Sequence, residues 1–142
     1  MTISDIMTER VISIGEDEPV IAAARLLKRN NIGALPVRGD KGKLKGIVTD
    51  RDIVLRCVAA EADPKEIRVG EIMSRNLVTA SPFDNAKTVT ERMGESQVRR
   101  IPVTENGILV GIVALSDIAR NDEFEMEAAD ALSEISSNFR RK

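Results

Sequence analysis

A chain of 142 residues with 21 Lys and Arg against 23 Asp and Glu, a formal net charge of −2, has no global attraction for phosphate backbones or anionic membranes. Three Phe, no Tyr and no Trp remove the aromatic platforms of single-strand nucleic-acid binders, and the absence of His removes the commonest general base and metal ligand. Every histidine-based triad goes with it, and no CxxC, HExxH or G-x-x-x-x-G-K-S/T motif occurs, so the composition argues against an enzyme.

The N-terminal MTISDIMTER lacks the layout of a signal peptide, and no apolar run approaches the ~18 residues that mark a membrane span. With one cysteine and no internal disulfide, a cytoplasmic protein is expected. The length suits one compact domain or two half-size units sharing a core. Ile3, Ile6 and Met7 have the i, i+3, i+4 spacing of a short helical turn with an apolar edge. Residues 11–14 predict a brief strand ending at Gly15. Pro19 suits the first turn of a helix preceded by Glu16, Asp17 and Glu18, where the dipole favours negative charge. Val20, Ala23, Ala24 and Leu27 supply its inner face, Lys28 and Arg29 complement its C-terminal end, and Asn30, Asn31 and Gly33 stop it. Residues 34–37 predict a strand that Pro36 marks as an edge or a strand start, because its nitrogen cannot donate to a ladder. The turn Gly39-Asp40-Lys41-Gly42 leads into a return strand over 44–49, and Ile53, Val54, Cys57 and Val58 carry a second helix. Cys57 reads as a small buried hydrophobe, since no basic or helix-start setting activates its thiol.

After a polar linker containing Pro64, the chain repeats this order. Met7 pairs with Met73, Pro36 with Pro102, Gly46 with Gly111, Asp52 with Asp117 and Ile53 with Ile118, about 66 residues on, with a one-residue slip between Asp40 and Gly46. Val69, Ile72 and Met73 match the opening turn, residues 77–79 the first strand, and Val89 and Met93 the first helix. Residues 101–103 and 109–114 form the hairpin, and Asp117 starts the last helix. β-Branched Thr88, Val89 and Thr90, together with Gly94, weaken the first helix of this copy. Beyond it, Phe124, Ala128, Leu132, Ile135 and Phe139 form one apolar stripe on a predicted helix. Glu123, Glu125, Glu127, Asp130 and Glu134 precede Arg140, Arg141 and Lys142, an order that suits a helix dipole. That stripe packs on the body or on a second subunit, or serves another protein; its acidic face argues against a membrane. The expected organisation is repeat 1 over 1–60, a linker over 61–68, repeat 2 over 69–121 and a C-terminal helix over 122–142.

Each repeat therefore reads β-α-β-β-α, an α+β fold of α/β layers. Its strand-to-helix junctions are Thr49-Asp50-Arg51-Asp52 and Ala114-Leu115-Ser116-Asp117. T-x-x-D is the pattern of a helix capping box; Ala114 has no hydroxyl, so in repeat 2 Ser116 would serve instead. The same atoms suit a ligand. A helix start offers free N–H groups to a phosphate, Thr49, Ser116 and the Arg51 guanidinium reach phosphate oxygens, and a carboxylate one turn in accepts from both hydroxyls of a ribose. Both readings stand on the sequence.

With ALPV and GIVTDRDI in one half and RIPV and GIVALSDI in the other, the chain from Ile3 to Arg120 resembles a pair of cystathionine-β-synthase (CBS) domains. The resemblance implies two units related by pseudo-twofold symmetry and two clefts for AMP, ADP or ATP, with or without Mg²⁺, or for S-adenosylmethionine. Each cleft takes its aspartate from one repeat and its first-strand segment from the other. It also implies a regulatory module or energy sensor that forms a homodimer and acts on an effector protein, without enzyme activity; the alternative is a ligand-free structural or protein-interaction module. Carried onto this chain, the pattern puts Asp52 and Asp117 on ribose hydroxyls and Thr49 at the family's hydroxyl position, from which Ala114 departs. Ile12 and Ser13, with Val78 and Thr79, fall in the segments whose backbone reads the adenine edge. Where some members hold phosphates with basic residues, repeat 1 has Gly33 and Ala34, and repeat 2 has Arg99 and Arg100. The Asp117 cleft is therefore expected to prefer a phosphate tail, and the Asp52 cleft to take a nucleoside-like ligand or stay empty; adjacent arginines are otherwise ordinary solvated surface charge.

Overall fold

The computed structural model describes residues 1–120 and 125–140, without the side chains of residues 125 and 138–140. Phe124, Glu123, Arg141 and Lys142, and the side chains of Glu125, Phe139 and Arg140, therefore lie outside the described residues. The chain forms two compact units that do not follow its order. A first unit holds Val11–Leu77 with Gly107–Leu109; a second holds Met1–Arg10, Val78–Asn106 and the described residues from Val110 on. Among the described residues, buried side chains form one hydrophobic cluster in each unit.

In the first unit, β1 (Ile14–Gly15), β2 (Ala34–Arg38) and β3 (Leu44–Thr49) make a sheet in the order β1-β2-β3, parallel between β1 and β2 and antiparallel between β2 and β3. Pro36 thus lies in the central strand, not at the expected edge. Its missing donor is accommodated because β1 is short: pairing with β1 begins at Val37, opposite Ile14, while Pro36 faces Ile47 across β3. This also limits the strand expected over 11–14 to Ile14–Gly15. Helix α1 (Val20–Asn30) buries Val20, Ala23 and Leu27 and ends at Asn31 in the left-handed conformation, φ 51°, which asparagine tolerates. Its first amides are satisfied from the polar stretch expected as a linker: Val20 N–H donates to the Ile67 carbonyl at 2.9 Å and Ile21 N–H to that of Pro64 at 2.8 Å. After α2 (Asp50–Ile53) the helix widens into a π turn over Val54–Val58. Cys57 is buried there, with its thiol 3.6 Å from the Ala62 carbonyl, whereas Val54 and Val58, expected on the apolar face, are exposed along with Leu55. Helix α3 (Val69–Ile72) closes the unit against β3.

In the second unit, a 3₁₀ turn over Ile3–Asp5 is followed by α4 (Ala86–Ser96), the hairpin β4 (Arg100–Glu105) and β5 (Ile108–Ala114), α5 (Leu115–Ala119) and α6 (Glu125–Arg140). No strand forms over 77–79. Strand-like pairing is limited to Ala80 beside Val103, the counterpart of Ile14 beside Val37, and the Thr79 carbonyl accepts from Arg92 Nη1 at 2.7 Å. Gly94 has a specific role. A Cβ built there would lie 3.1 Å from Ala131 Cα and 3.1 Å from Glu134 Oε1, so the glycine that weakens α4 lets α6 approach it. The buried face of α6 is accordingly Ala128, Ala131 and Ile135; Leu132, expected in the stripe, is 47% exposed. Small Ala131 fits the close crossing where a leucine would not.

The opening motif of each repeat lies on the sheet of the other. Thr8 and Ile112 exchange backbone hydrogen bonds at 2.8 and 3.0 Å in the second unit, and Ser74 and Ile47 do so at 2.9 and 3.0 Å in the first. The GIV glycines make room for this. Above Gly111 sits Met7 Sδ and above Gly46 sits Met73 Sδ, each 2.7 Å from where a Cβ would be.

Candidate functional site

Each unit carries one strand-to-helix junction. In the first, Ala34 pairs with Thr49 across β2 and β3, and Asp50 N–H donates to the Gly33 carbonyl at 3.0 Å. Thr49 and Asp52 form a reciprocal capping box: Thr49 Oγ1 accepts from Asp52 N–H at 3.0 Å, and Asp52 Oδ2 accepts from Thr49 N–H at 3.0 Å. The other oxygen, Oδ1, lies 3.9 Å from Arg56 Nη1, whose guanidinium also donates to the Ile72 carbonyl at 2.9 Å. Only 12% of the Asp52 side chain is exposed. Arg51 is exposed, and Asp50, also exposed, accepts from Arg51 N–H at 2.8 Å.

The second junction repeats the backbone with different chemistry. Leu115 N–H donates to the Arg99 carbonyl at 2.8 Å, matching the Asp50–Gly33 bond. Asp117 Oδ2 accepts from Ala114 N–H at 3.2 Å, but with no hydroxyl at 114 nothing returns the bond. Ser116 is exposed and is not hydrogen-bonded to the start of the helix as its expected substitute cap. Asp117 Oδ1 lies 3.5 Å from Arg120 Nη1, on a side chain 79% exposed, and Asp117 itself is 26% exposed, twice the value at Asp52. Arg99 and Arg100 are exposed.

The capping reading therefore holds in full at Thr49 and Asp52 and by half at Asp117. At both junctions one carboxylate oxygen is fixed by a backbone amide, and the second lies beside an arginine, Arg56 or Arg120. Of the first-strand residues, Ile12 is exposed and Ser13 half-buried in the first unit, where Ser13 Oγ accepts from Arg38 Nε at 3.3 Å beside a groove lined by Glu18, Arg25 and Arg29. Val78 and Thr79 are half-buried in the second unit, and the Thr79 carbonyl is engaged by Arg92. Arg56, Arg120 and Asp50 are the residues that motif reading passes over. Arg56, one helical turn beyond Asp52, and Arg120, three residues beyond Asp117, are findable from helical spacing. Asp50 is findable by comparing its column with Leu115.

A family model described as the CBS domain matches residues 3–58 and 69–123. The CBS domain-containing protein YhcV of Bacillus subtilis is 39% identical over 135 residues, 95% of each chain. The crystal structure of Hypoxic Response Protein I with two coordinated zinc ions has a TM-score of 0.79 at 40% identity, covering 85% of this chain and 98% of that one. Among the described residues of this chain, no group of three or more His, Cys, Asp or Glu is placed to hold a metal ion. The CBS domain pair of protein MJ0100, solved in complex with 5′-methylthioadenosine and S-adenosyl-L-methionine, has a TM-score of 0.72 at 30% identity, covering 84% of this chain and 94% of that one. Two matches of one family model in tandem, over both halves and both junctions, place this chain in the CBS domain family, as a CBS domain pair with an added C-terminal helix.

Proposed function

We propose that this protein is a cytoplasmic regulatory module that binds adenosine-containing ligands at its aspartate-bearing junctions, with AMP, ADP or ATP at the Asp117 junction. The observation that carries this reading is the state of Asp117. One of its oxygens is fixed by the Ala114 amide and the other lies beside the exposed Arg120 at 3.5 Å, with exposed Arg99, Arg100 and Ser116 at the same junction. A ribose hydroxyl replaces the long Arg120 contact at little cost, and the arginines supply charge-assisted donors to phosphate oxygens. S-adenosylmethionine is the second reading, supported by the ligands of the similar MJ0100 pair. Ligand acts on an effector protein by differential affinity for two arrangements of the chain. Exposed Val54, Leu55 and Val58 support a homodimer, which light scattering of the purified protein tests.

The test of binding is a thermal-shift panel of AMP, ADP, ATP, S-adenosylmethionine and NADH, with and without Mg²⁺. A ligand at 100 times its dissociation constant adds about 2.7 kcal/mol of stability, a visible rise in midpoint. The shift should fall with Asp117→Ala and Arg100→Ala. A flat response to every compound would sink the adenosine reading in favour of a structural or protein-interaction module.

A further inference from the structure

The two junctions share their backbone and differ in charge. The Asp50–Gly33 and Leu115–Arg99 hydrogen bonds, at 3.0 and 2.8 Å, bring the corners into register, so their side chains can be compared position by position. In the first unit, residue 50 is an exposed aspartate whose carboxylate lies over Gly33: a Cβ built on that glycine would be 3.5 Å from Asp50 Oδ2. The Arg51 amide, at 2.8 Å from Oδ1, keeps the carboxylate at the corner. In the second unit the matching residue, Leu115, is 6% exposed and belongs to the core, while the matching glycine is replaced by exposed Arg99. A carboxylate at one corner has become a guanidinium at the other. Over the matched positions 33, 34 and 49–52, Asp50 and Asp52 against Arg51 leave a charge of −1. Over 99, 100 and 114–117, Arg99 and Arg100 against Asp117 leave +1.

Resting on the adenosine reading above, we infer that Asp50 is a specificity residue of the first-unit junction. It disfavours 5′-phosphates there and favours adenosine derivatives whose 5′ substituent is uncharged or cationic. A phosphate monoester carries about −1.5 to −2 charges at neutral pH. A phosphate seated about 6 Å from the Asp50 carboxylate would lie inside the Debye length of about 8 Å at physiological salt, so the repulsion would survive screening. At an effective dielectric of about 40, one such pair of unit charges changes affinity about tenfold. Asp52 cannot make this distinction, because Asp117 provides the same carboxylate at the second junction. The discriminating difference is Asp50 over Gly33 against Leu115 over Arg99.

The experiment is isothermal titration calorimetry of the full chain at physiological salt, first unsubstituted and then carrying Asp117→Ala, so that the remaining heat comes from the first-unit junction. The probes are AMP, 5′-methylthioadenosine and S-adenosylmethionine. In the Asp117→Ala chain the last two bind more tightly than AMP. Adding Asp50→Asn, which retains an oxygen for the Arg51 amide, tightens AMP about tenfold and weakens S-adenosylmethionine several-fold. Asp50→Leu, the residue found at the second junction, moves AMP in the same direction. Opposite movement of the two ligands separates charge selection from structural damage, which weakens both. The inference alone is overturned if AMP and S-adenosylmethionine move together, if AMP stays within about twofold, or if binding seen on the intact chain vanishes in the Asp117→Ala chain. No heat from any probe on the intact chain overturns the adenosine reading, and this inference with it.

Discussion

Substituting Gly46 by alanine tests the exchanged packing directly. A Cβ on Gly46 would lie 2.7 Å from Met73 Sδ and 2.7 Å from the Ser74 carbonyl oxygen. The sulfur ends a flexible side chain and can swing away. The carbonyl cannot, because it accepts from Ile47 N–H at 3.0 Å and anchors the opening segment of repeat 2 to β3. Relieving the clash therefore moves backbone, an overpacking cost of about 1–3 kcal/mol. Gly46 is not among the glycines with positive φ, so alanine also gains about 0.4–1 kcal/mol by restricting the unfolded chain. The net expectation is a loss of about 1–2 kcal/mol. At Gly111 the sulfur of Met7 is again 2.7 Å away, but the nearest backbone oxygen, that of Thr8, is at 3.1 Å, so Gly111→Ala should cost about 1 kcal/mol or less. Urea denaturation reads the difference: with slopes of about 1–3 kcal/mol per molar, Gly46→Ala lowers the midpoint by about 0.3–2 M. Met73→Ala should not rescue it, since the carbonyl remains. The reasoning is refuted if Gly46→Ala is as stable as the parent, or is harmed less than Gly111→Ala.

Three further expectations follow from local geometry. Gly94→Ala improves the intrinsic helicity of α4 by about 1 kcal/mol yet pushes on Ala131, so hydrogen exchange over Ala128 to Ile135 should accelerate while α4 itself is protected; unchanged exchange in α6 would contradict the close crossing. Thr49→Ala removes the acceptor of Asp52 N–H and should cost about 1 kcal/mol in thermal unfolding, whereas Ala114→Thr, which completes the box at the second junction, should gain up to about 1 kcal/mol. The Asp5 carboxyl is held below its ordinary value by the Thr2 amide, at 3.0 Å, and hydroxyl, at 3.2 Å. A depressed folded-state value means stabilisation that is present above the unfolded pKa and lost as pH falls through the folded one, and NMR titration of Thr2→Ala should show Asp5 moving back upward.

Helices and strands with strong periodicity were legible residue by residue. The strand over Leu44–Thr49 and the inner face of α1 at Val20, Ala23 and Leu27 stand where the pattern puts them, while Ala24, expected on that face, is only half-buried. Segments whose state depends on distant partners were not. Residues 11–13 and 77–79 both look strand-like, yet in each repeat pairing begins only at the next residue, Ile14 beside Val37 and Ala80 beside Val103, set by a strand distant in sequence. Leu132 fits the apolar stripe of α6 better than Ala131 by hydropathy, and only the glycine at 94 explains why the smaller residue faces inward. At the junctions, the three-residue spacing of Thr49 and Asp52 announced their box, because capping is local chemistry. Arg56 and Arg120 were open to the same argument from helical spacing. The position of the Asp50 carboxylate over Gly33 was not, since it depends on a hydrogen bond between strands that no local pattern encodes.

The exchange of opening segments also bears on ancestry. A lone repeat would leave its GIV strand without the Met-bearing segment that pairs with it, because its own opening lies on the other copy. Two identical chains of half this length could satisfy each other reciprocally, at the entropic cost of bringing two molecules together. Joining them end to end makes the second encounter intramolecular, at an effective concentration in the millimolar range for a short tether. On that view the tandem gene is a covalently captured swapped dimer. Once captured, its two halves no longer had to be identical, and the corners at residues 33 and 99 were free to take opposite charge.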